Sequence, residues 1–168
     1  MGERTITAHR FALESLGLKI ITKEDYYEIT SKGRAEKEVV MYEASDTGTT
    51  NTILRATVLP QKTVIDFAQQ NYMVLEVCYF LEKLGVKIEG IGTTNLVVHG
   101  VEEIDRPIEY YNSEDPIESM MFVSAAVTTG SKLKIERCPI DFLILEMTKL
   151  KVMGLKYQIS KTYLSRNG

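Results

Sequence analysis

The chain has 168 residues, 44% of them apolar and 26% charged, a globular composition long enough to bury roughly two thirds of its unfolded surface in a core. Its 20 basic and 23 acidic side chains leave a formal charge of -3, which argues against a dedicated polyanion binder and so against nucleic acid as a partner, while leaving room for a local phosphate pocket. No stretch approaches the ~18 apolar residues of a membrane helix, and Met1-Gly2-Glu3-Arg4 lacks the apolar centre of a secretory signal, so no membrane partner and a cytoplasmic location are expected.

The first predicted element is a helix over about Ile6 to Leu16, followed by strands near Leu18 to Thr22 and Tyr26 to Thr30. Glu38 to Met41 reads as a short apolar strand. A helix follows from about Gly48 to Leu59, stopped by Pro60, and Thr63 to Phe67 reads as the next strand. From Tyr72 to Leu84, Met73, Val74, Val77, Phe80, Leu81 and Leu84 recur at steps of one, three and four, the stripe of an amphipathic helix. Gly85 suits the left-handed residue that closes it. Two alternating strands, Val86 to Ile91 and Leu96 to Val101, flank the turn Gly92-Thr93-Thr94-Asn95. Glu102 to Pro107 has charge and a terminal proline but no periodicity; it reads as a solvated connection and a candidate domain boundary, with a linker at 104–107 separating 1–103 from 108–168. Beyond it, Asp115-Pro116 opens a helix, aspartate as N-cap and proline preset for the first position. Gly130 ends that helix, Lys132 to Arg137 is a strand, Asp141 to Met153 a helix, and Leu155 to Ile159 with Thr162 to Leu164 a closing hairpin. Cys78 and Cys138 form no disulfide framework and read as small apolar core groups, with a reactive thiol as the alternative.

One pattern orders these elements. Leu16-Gly17-Leu18-Lys19, Leu84-Gly85-Val86-Lys87 and Met153-Gly154-Leu155-Lys156 each join a helix to a strand, 68 and then 69 residues apart. A fixed period marks a repeated supersecondary unit that buries its apolar face against its copies. The unit is strand, helix, strand, helix, strand, strand, so the expected fold class is α+β, built from repeated βαβαββ units with helices on mixed sheets. The first copy starts inside its second helix. An unpaired sheet edge would follow, and the expectation is a piece of a longer protein, its edge covered by the remainder of the polypeptide or by self-association.

The residues also carry a resemblance. Gly85-Val86-Lys87-Ile88-Glu89-Gly90-Ile91-Gly92-Thr93-Thr94-Asn95-Leu96-Val97-Val98-His99-Gly100-Val101 resembles the strand-turn-strand of the UDP-N-acetylglucosamine enolpyruvyl transferase family. Gly2-Glu3-Arg4-Thr5-Ile6-Thr7-Ala8-His9 is similar to the family's glycine-x-arginine-proline-valine-aspartate-leucine-histidine segment. Asp115-Pro116-Ile117-Glu118 with Phe122-Val123-Ser124-Ala125-Ala126 resembles its aspartate-arginine-isoleucine-glutamate stretch and alanine-rich helix. The resemblance implies two domains of three such units closing over a cleft, with 1–103 in one and 108–168 in the other. It also implies transfer of the carboxyvinyl group of phosphoenolpyruvate to a hydroxyl of UDP-N-acetylglucosamine, a step of peptidoglycan synthesis, with both molecules as partners of the full-length enzyme. That chemistry needs cations for phosphate and carboxylate, an acid for the vinyl carbon and a base for the hydroxyl. The resemblance puts the family's lysine-asparagine pair and loop cysteine ahead of Met1, and its aspartate base and further arginines beyond Gly168. No catalytic residue is therefore assigned here, no metal or cofactor is expected, and the chain alone is expected to be inactive.

By resemblance, the substrate-binding candidates are Arg4, Thr5, Ile6 and Thr7 in the first segment, and Asp46, Thr47 and Gly48 in a loop that in the family receives the uridine diphosphate group at a helix N-terminus. Free amides there suit an anion. Against this, Arg4 reads equally as a solvated terminal arginine, Thr5 and Thr7 replace a proline and an aspartate, and Asp46 stands where a serine is found and would repel phosphate. Helix capping by Asp46 or Thr47 is the competing reading. His9, at helical spacing with Ile6, Leu13 and Leu16, reads as a packing residue. Gln69-Gln70-Asn71-Tyr72 lacks the charges of the family's arginine-glutamate-proline-glutamate, Pro116 replaces an arginine, and neither cysteine matches a catalytic position. These departures keep two alternatives open: a non-catalytic binding or assembly module on the same scaffold, and a piece of the related shikimate-pathway transferase.

Overall fold

A computed structural model describes residues 5–31, 33–160 and 162–165. The chain falls into two compact units, Met1–Glu109 and Tyr110–Gly168.

In the first unit the elements are α1 (Thr7–Ser15), β1 (Leu18–Thr22), β2 (Tyr27–Ser31), β3 (Glu38–Val40), α2 (Asp46–Thr57), β4 (Lys62–Asp66), α3 (Tyr72–Lys83), β5 (Lys87–Glu89) and β6 (Asn95–His99). From β3 onward this is the complete βαβαββ order, and α1, β1 and β2 repeat its last three members. The hairpin β1–β2 pairs only with itself among the described residues, whereas β3, β4, β6 and β5 lie side by side in one mixed sheet. There β3 runs parallel to β4 across the α2 crossover, and the other two pairings are antiparallel.

Alternation along the strands decides which face is buried. Val39, Ile65 and Leu96 sit opposite one another across three strands, and Thr63, Val98 and Ile88 form the next row; all six are buried, as a period of two requires of one sheet face. Ile53 and Ala56 of α2, Val74, Cys78 and Leu81 of α3, Ala12 of α1 and Leu16 just after it close over that face in one core cluster. The last turn of α1 is further tied to α2, where Arg55 Nε donates to the Leu16 carbonyl at 3.2 Å.

The spaced glycines do one job in all three copies. Gly17 and Gly85 follow α1 and α3, and Gly154 follows a helix of the second unit, with φ of +81°, +91° and +98°, a left-handed state open to glycine at little cost. At Gly85 and Gly154 the closure is the two-bond type: Gly85 N–H donates to Glu82 and Val86 N–H to Leu81, while Gly154 N–H donates to Lys151 and Leu155 N–H to Leu150.

Within the second unit, α4 (Pro116–Thr129) begins as the sequence indicates, Asp115 accepting from the Ile117 amide at 2.7 Å with Pro116 in the first turn. A 3-10 turn, Ile140–Phe142, precedes α5 (Ile144–Val152), so the helix expected over Asp141 to Met153 forms in two pieces. The strands expected at Lys132 to Arg137, Leu155 to Ile159 and Thr162 to Leu164 are absent among the described residues. A strand is held by its neighbour, and among the described residues no strand lies beside these segments. Lys132 to Arg137 ends instead at Arg137, left-handed at φ 57°, whose guanidinium pairs with Glu114 and lies 5.8 Å from the Tyr163 ring. Leu143 and Met147 are buried in this unit, while Ile117, Phe122, Ile144 and Val152 stay exposed.

The two cysteines differ. Cys78 is buried in α3, and burial, helped by the nearby Glu82 charge, pushes its thiol up to about 11; Cys138 is half-buried in a connection. A disulfide reagent at pH ~8 should therefore modify Cys138 first, since the thiolate is the attacking species; equal rates measured by mass spectrometry would contradict the burial of Cys78.

On the outer face of the sheet, Glu89 accepts from Lys87 Nζ and sits against His99 Nε2, each at 2.8 Å. The Lys87 contact first, then His99, holds its carboxyl down at about 2 against an ordinary 4.5. A depressed carboxylate stabilises the fold above its unfolded value and loses that contribution as pH falls through the folded one, here between pH 4.5 and about 2. A carbon-detected titration should show Glu89 turning near 2 and moving up in Lys87→Ala; an unchanged midpoint would rule out Lys87 as the main cause.

Candidate functional site

Two of the segments singled out in the sequence meet in the first unit. Thr5 and Thr7 are exposed at the start of α1, and Ile6, half-buried, is the residue ahead of the helix, with no side-chain hydrogen bond capping it. Arg4 lies outside the described residues. From α1, the half-buried His9 reaches across to the first turns of α2, its Nε2 3.1 Å from Thr47 Oγ1 and its Nδ1 2.8 Å from Asn51 Nδ2. The start of α1 and the start of α2, far apart in sequence, are thereby brought to one place. His9 is therefore more than the packing residue that its spacing suggests.

The α2 terminus is organised by its smallest residues. The helix begins at Asp46, two residues earlier than expected, and its cap is neither Asp46 nor Thr47. Ser45 Oγ accepts from the Gly48 amide at 3.2 Å while the Ser45 carbonyl accepts from Thr49. Gly48 is buried, and a Cβ there would come within 2.9 Å of Ser45 Oγ, so a larger residue would shift the serine hydroxyl. Asp46 is half-buried in the first turn, where a carboxylate complements the helix dipole and opposes an incoming anion. Thr47 is exposed.

Behind this turn, Thr49 is wholly buried and its Oγ1 accepts from the Gln69 amide at 3.0 Å. Thr52 is buried as well, donating to the Gly48 carbonyl at 2.8 Å. The loop after β4 is thus fastened to the mouth of α2, and Asn71 then caps α3 by accepting from Val74 at 3.1 Å. Sequence reasoning did not single out Thr49 and Asn51; the only signal available is the density of threonine and asparagine at one helix start. Gln69 and Asn71, noted in the sequence only for the charges they lack, turn out to be structural here. Of the arginines nearby in sequence, Arg10 pairs with Glu14 at 2.9 Å and Arg55 with the Leu16 carbonyl. No cluster of metal-binding side chains occurs among the described residues, and no helix among them is long and apolar enough to cross a membrane.

Comparison with known proteins agrees with this architecture. The profile of the EPSP synthase (3-phosphoshikimate 1-carboxyvinyltransferase) family matches residues 1–166. The chain belongs to that family. Among its relatives, a UDP-N-acetylglucosamine 1-carboxyvinyltransferase of Aeromonas hydrophila is 32% identical over 92% of this chain and 37% of its own length. Proteins of the same name from Thermodesulfovibrio yellowstonii and Tolumonas auensis are 28% and 29% identical, over 94% and 98% of this chain and 38% and 39% of theirs. The crystal structure of the enolpyruvyl transferase NikO from Streptomyces tendae matches 89% of this chain and 39% of that one with a TM-score of 0.72 at 17% identity, a likeness of fold. The chain spans well under half the length of the curated relatives it matches.

Proposed function

We propose that this member of the EPSP synthase family serves carboxyvinyl transfer from phosphoenolpyruvate to UDP-N-acetylglucosamine in cell-wall synthesis, its first unit forming one wall of the nucleotide-sugar site. The observation that carries the proposal is the meeting of the α1 start with the α2 start through His9, Thr47 and Asn51. It unites the two segments for which the family resemblance implies uridine diphosphate contacts, and relatives across 92–98% of the chain bear that enzyme's name. On this reading Thr5, Ile6 and Thr7 face the ligand from one side and Asp46, Thr47 and Gly48 from the other, with Arg4 a ligand contact by resemblance alone. The parts 1–103 and 108–168 belong to different domains of the transferase, with 104–107 crossing between them, and the soluble substrates go with a cytoplasmic location.

In the reaction, the carbon–oxygen bond to phosphate breaks, the sugar hydroxyl forms the new ether and its proton goes to a base. We assign neither that base nor the groups that hold the phosphoenolpyruvate phosphate to this chain, and we expect it to bind UDP-N-acetylglucosamine without turning over. Calorimetric titration of the chain with UDP-N-acetylglucosamine should give saturable binding at millimolar levels or below, and a phosphate-release assay with both substrates should give none. Robust turnover would overturn the second part; absence of binding would overturn the first.

Absent binding would favour a second reading, a non-catalytic assembly module on the same scaffold. Asp46 in the first turn of α2 and the Ser45 cap on the Gly48 amide both favour it, because each uses up some of the turn's capacity for an anion.

A further inference from the structure

We infer that His9 is a positioning residue that sets the direction of a hydrogen-bond relay from Asn51 through the imidazole to Thr47, leaving the Thr47 hydroxyl to donate to an acceptor oxygen of the ligand. The ligand end of this inference rests on the nucleotide-sugar reading above; the relay itself does not.

With the Asn51 amide nitrogen turned towards His9, the direction follows from what each group is able to do. Asn51 Nδ2 is 2.8 Å from His9 Nδ1, and an amide NH2 only donates, so Nδ1 holds a lone pair. A neutral imidazole has one N–H, which therefore sits on Nε2. Nε2 is 3.1 Å from Thr47 Oγ1, and the hydroxyl must accept. Its own proton is then left to point elsewhere, on an exposed residue in the first turn of α2.

The opposite amide orientation would reverse every link. Asn51 Oδ1 would accept from an Nδ1–H, Nε2 would accept from Thr47, and the hydroxyl would present only lone pairs to an anion. Since the orientation of an asparagine amide is set by its network, the tautomer of His9 distinguishes two sites of opposite chemistry. In this turn Ser45 occupies the Gly48 amide and Asp46 adds a negative charge. A donor from Thr47 is the contribution that would offset them for a phosphate oxygen.

The test starts with the tautomer. Long-range proton–nitrogen correlations on the labelled chain at pH ~8 need resolve only two imidazoles, and His99→Gln removes the other one. The Nε2–H pattern is expected for His9, and the Nδ1–H pattern would overturn the relay. Titrations with UDP-N-acetylglucosamine then compare variants of retained circular dichroism. Thr47→Val and His9→Phe should each weaken binding about tenfold, the worth of one hydrogen bond to an anion, while Thr47→Ser should keep the parent affinity. A parent that binds and a Thr47→Val that binds equally would overturn the ligand end and leave the nucleotide-sugar site standing. A parent that does not bind, with the Nε2–H tautomer present, would sink the nucleotide-sugar reading and the ligand end with it.

Discussion

Gly100→Ala is expected to destabilise the first unit by about 3 kcal/mol or more, the upper end of what an inserted methyl costs in a packed region. The residue follows β6 where the chain passes the end of α2. Its amide donates to the Gln61 carbonyl at 3.0 Å, and the next amide, Val101, donates to Thr57 at 2.8 Å. A Cβ at Gly100 would stand 1.7 Å from the Leu59 carbonyl oxygen and 2.9 Å from that of Ala56. Both obstacles are backbone, so no side chain is free to swing away. Relief requires separating β6 from α2, and with it both hydrogen bonds. Gly92→Ala, in the same unit, is the control: its Cβ would meet nothing within 4 Å, and only the left-handed backbone remains to be strained, at about 1 kcal/mol. Urea unfolding followed by circular dichroism compares the two, and a Gly100→Ala no worse than Gly92→Ala would contradict the close approach.

Ile53→Ala should cost about 3–4 kcal/mol, the range for deleting a large aliphatic side chain from a core that relaxes only partly. Ile53 is fully buried and belongs to the cluster joining α2 to the sheet. A loss of that size is a large fraction of the ~5–15 kcal/mol by which domains are stable. The same helix presents Asp46, Thr47 and Gly48, so loosening its seat should also disturb the candidate site. Increased hydrogen exchange at the Gly48 and Thr49 amides is expected at denaturant levels that the parent tolerates. Ile29→Ala, on an exposed β2 residue, should stay within about 0.5 kcal/mol; equal losses at the two positions would mean that α2 is not held by this core.

Much of the first unit is legible in its residues. The Met73, Val74, Val77, Phe80, Leu81, Leu84 stripe predicts α3 to within a residue, Asn71 and Gly85 standing just outside its ends. The alternation in Leu96 to Val101 and Thr63 to Phe67 predicts β6 and β4 within two residues, because one buried face imposes a period of two. The site is less legible. His9 at helical spacing reads as a packing residue, and nothing local distinguishes it from one; its partners Thr47 and Asn51 lie 38 and 42 positions away. Capping by Asp46 or Thr47 is reasonable from composition, since three consecutive capping-type residues precede Gly48. The choice of Ser45 came from where the helix begins, which the packing of α2 over β4 and β6 decides.

The second unit shows the limit from the other side. Asp115-Pro116 and Gly130 mark α4 by capping chemistry that acts within a few residues, and they succeed. Lys132 to Arg137 and Leu155 to Ile159 carry strand-like residues, yet no ladder forms among the described residues. By itself, then, the sequence determined where helices form, the caps of α3 and α4, the left-handed glycines that repeat through the chain, and the family, all features written in neighbouring residues or in whole-chain likeness. Tertiary structure alone decided which strands found partners, which serine capped α2 and which histidine joined two helix starts, because each depends on groups that only folding brings within hydrogen-bonding distance.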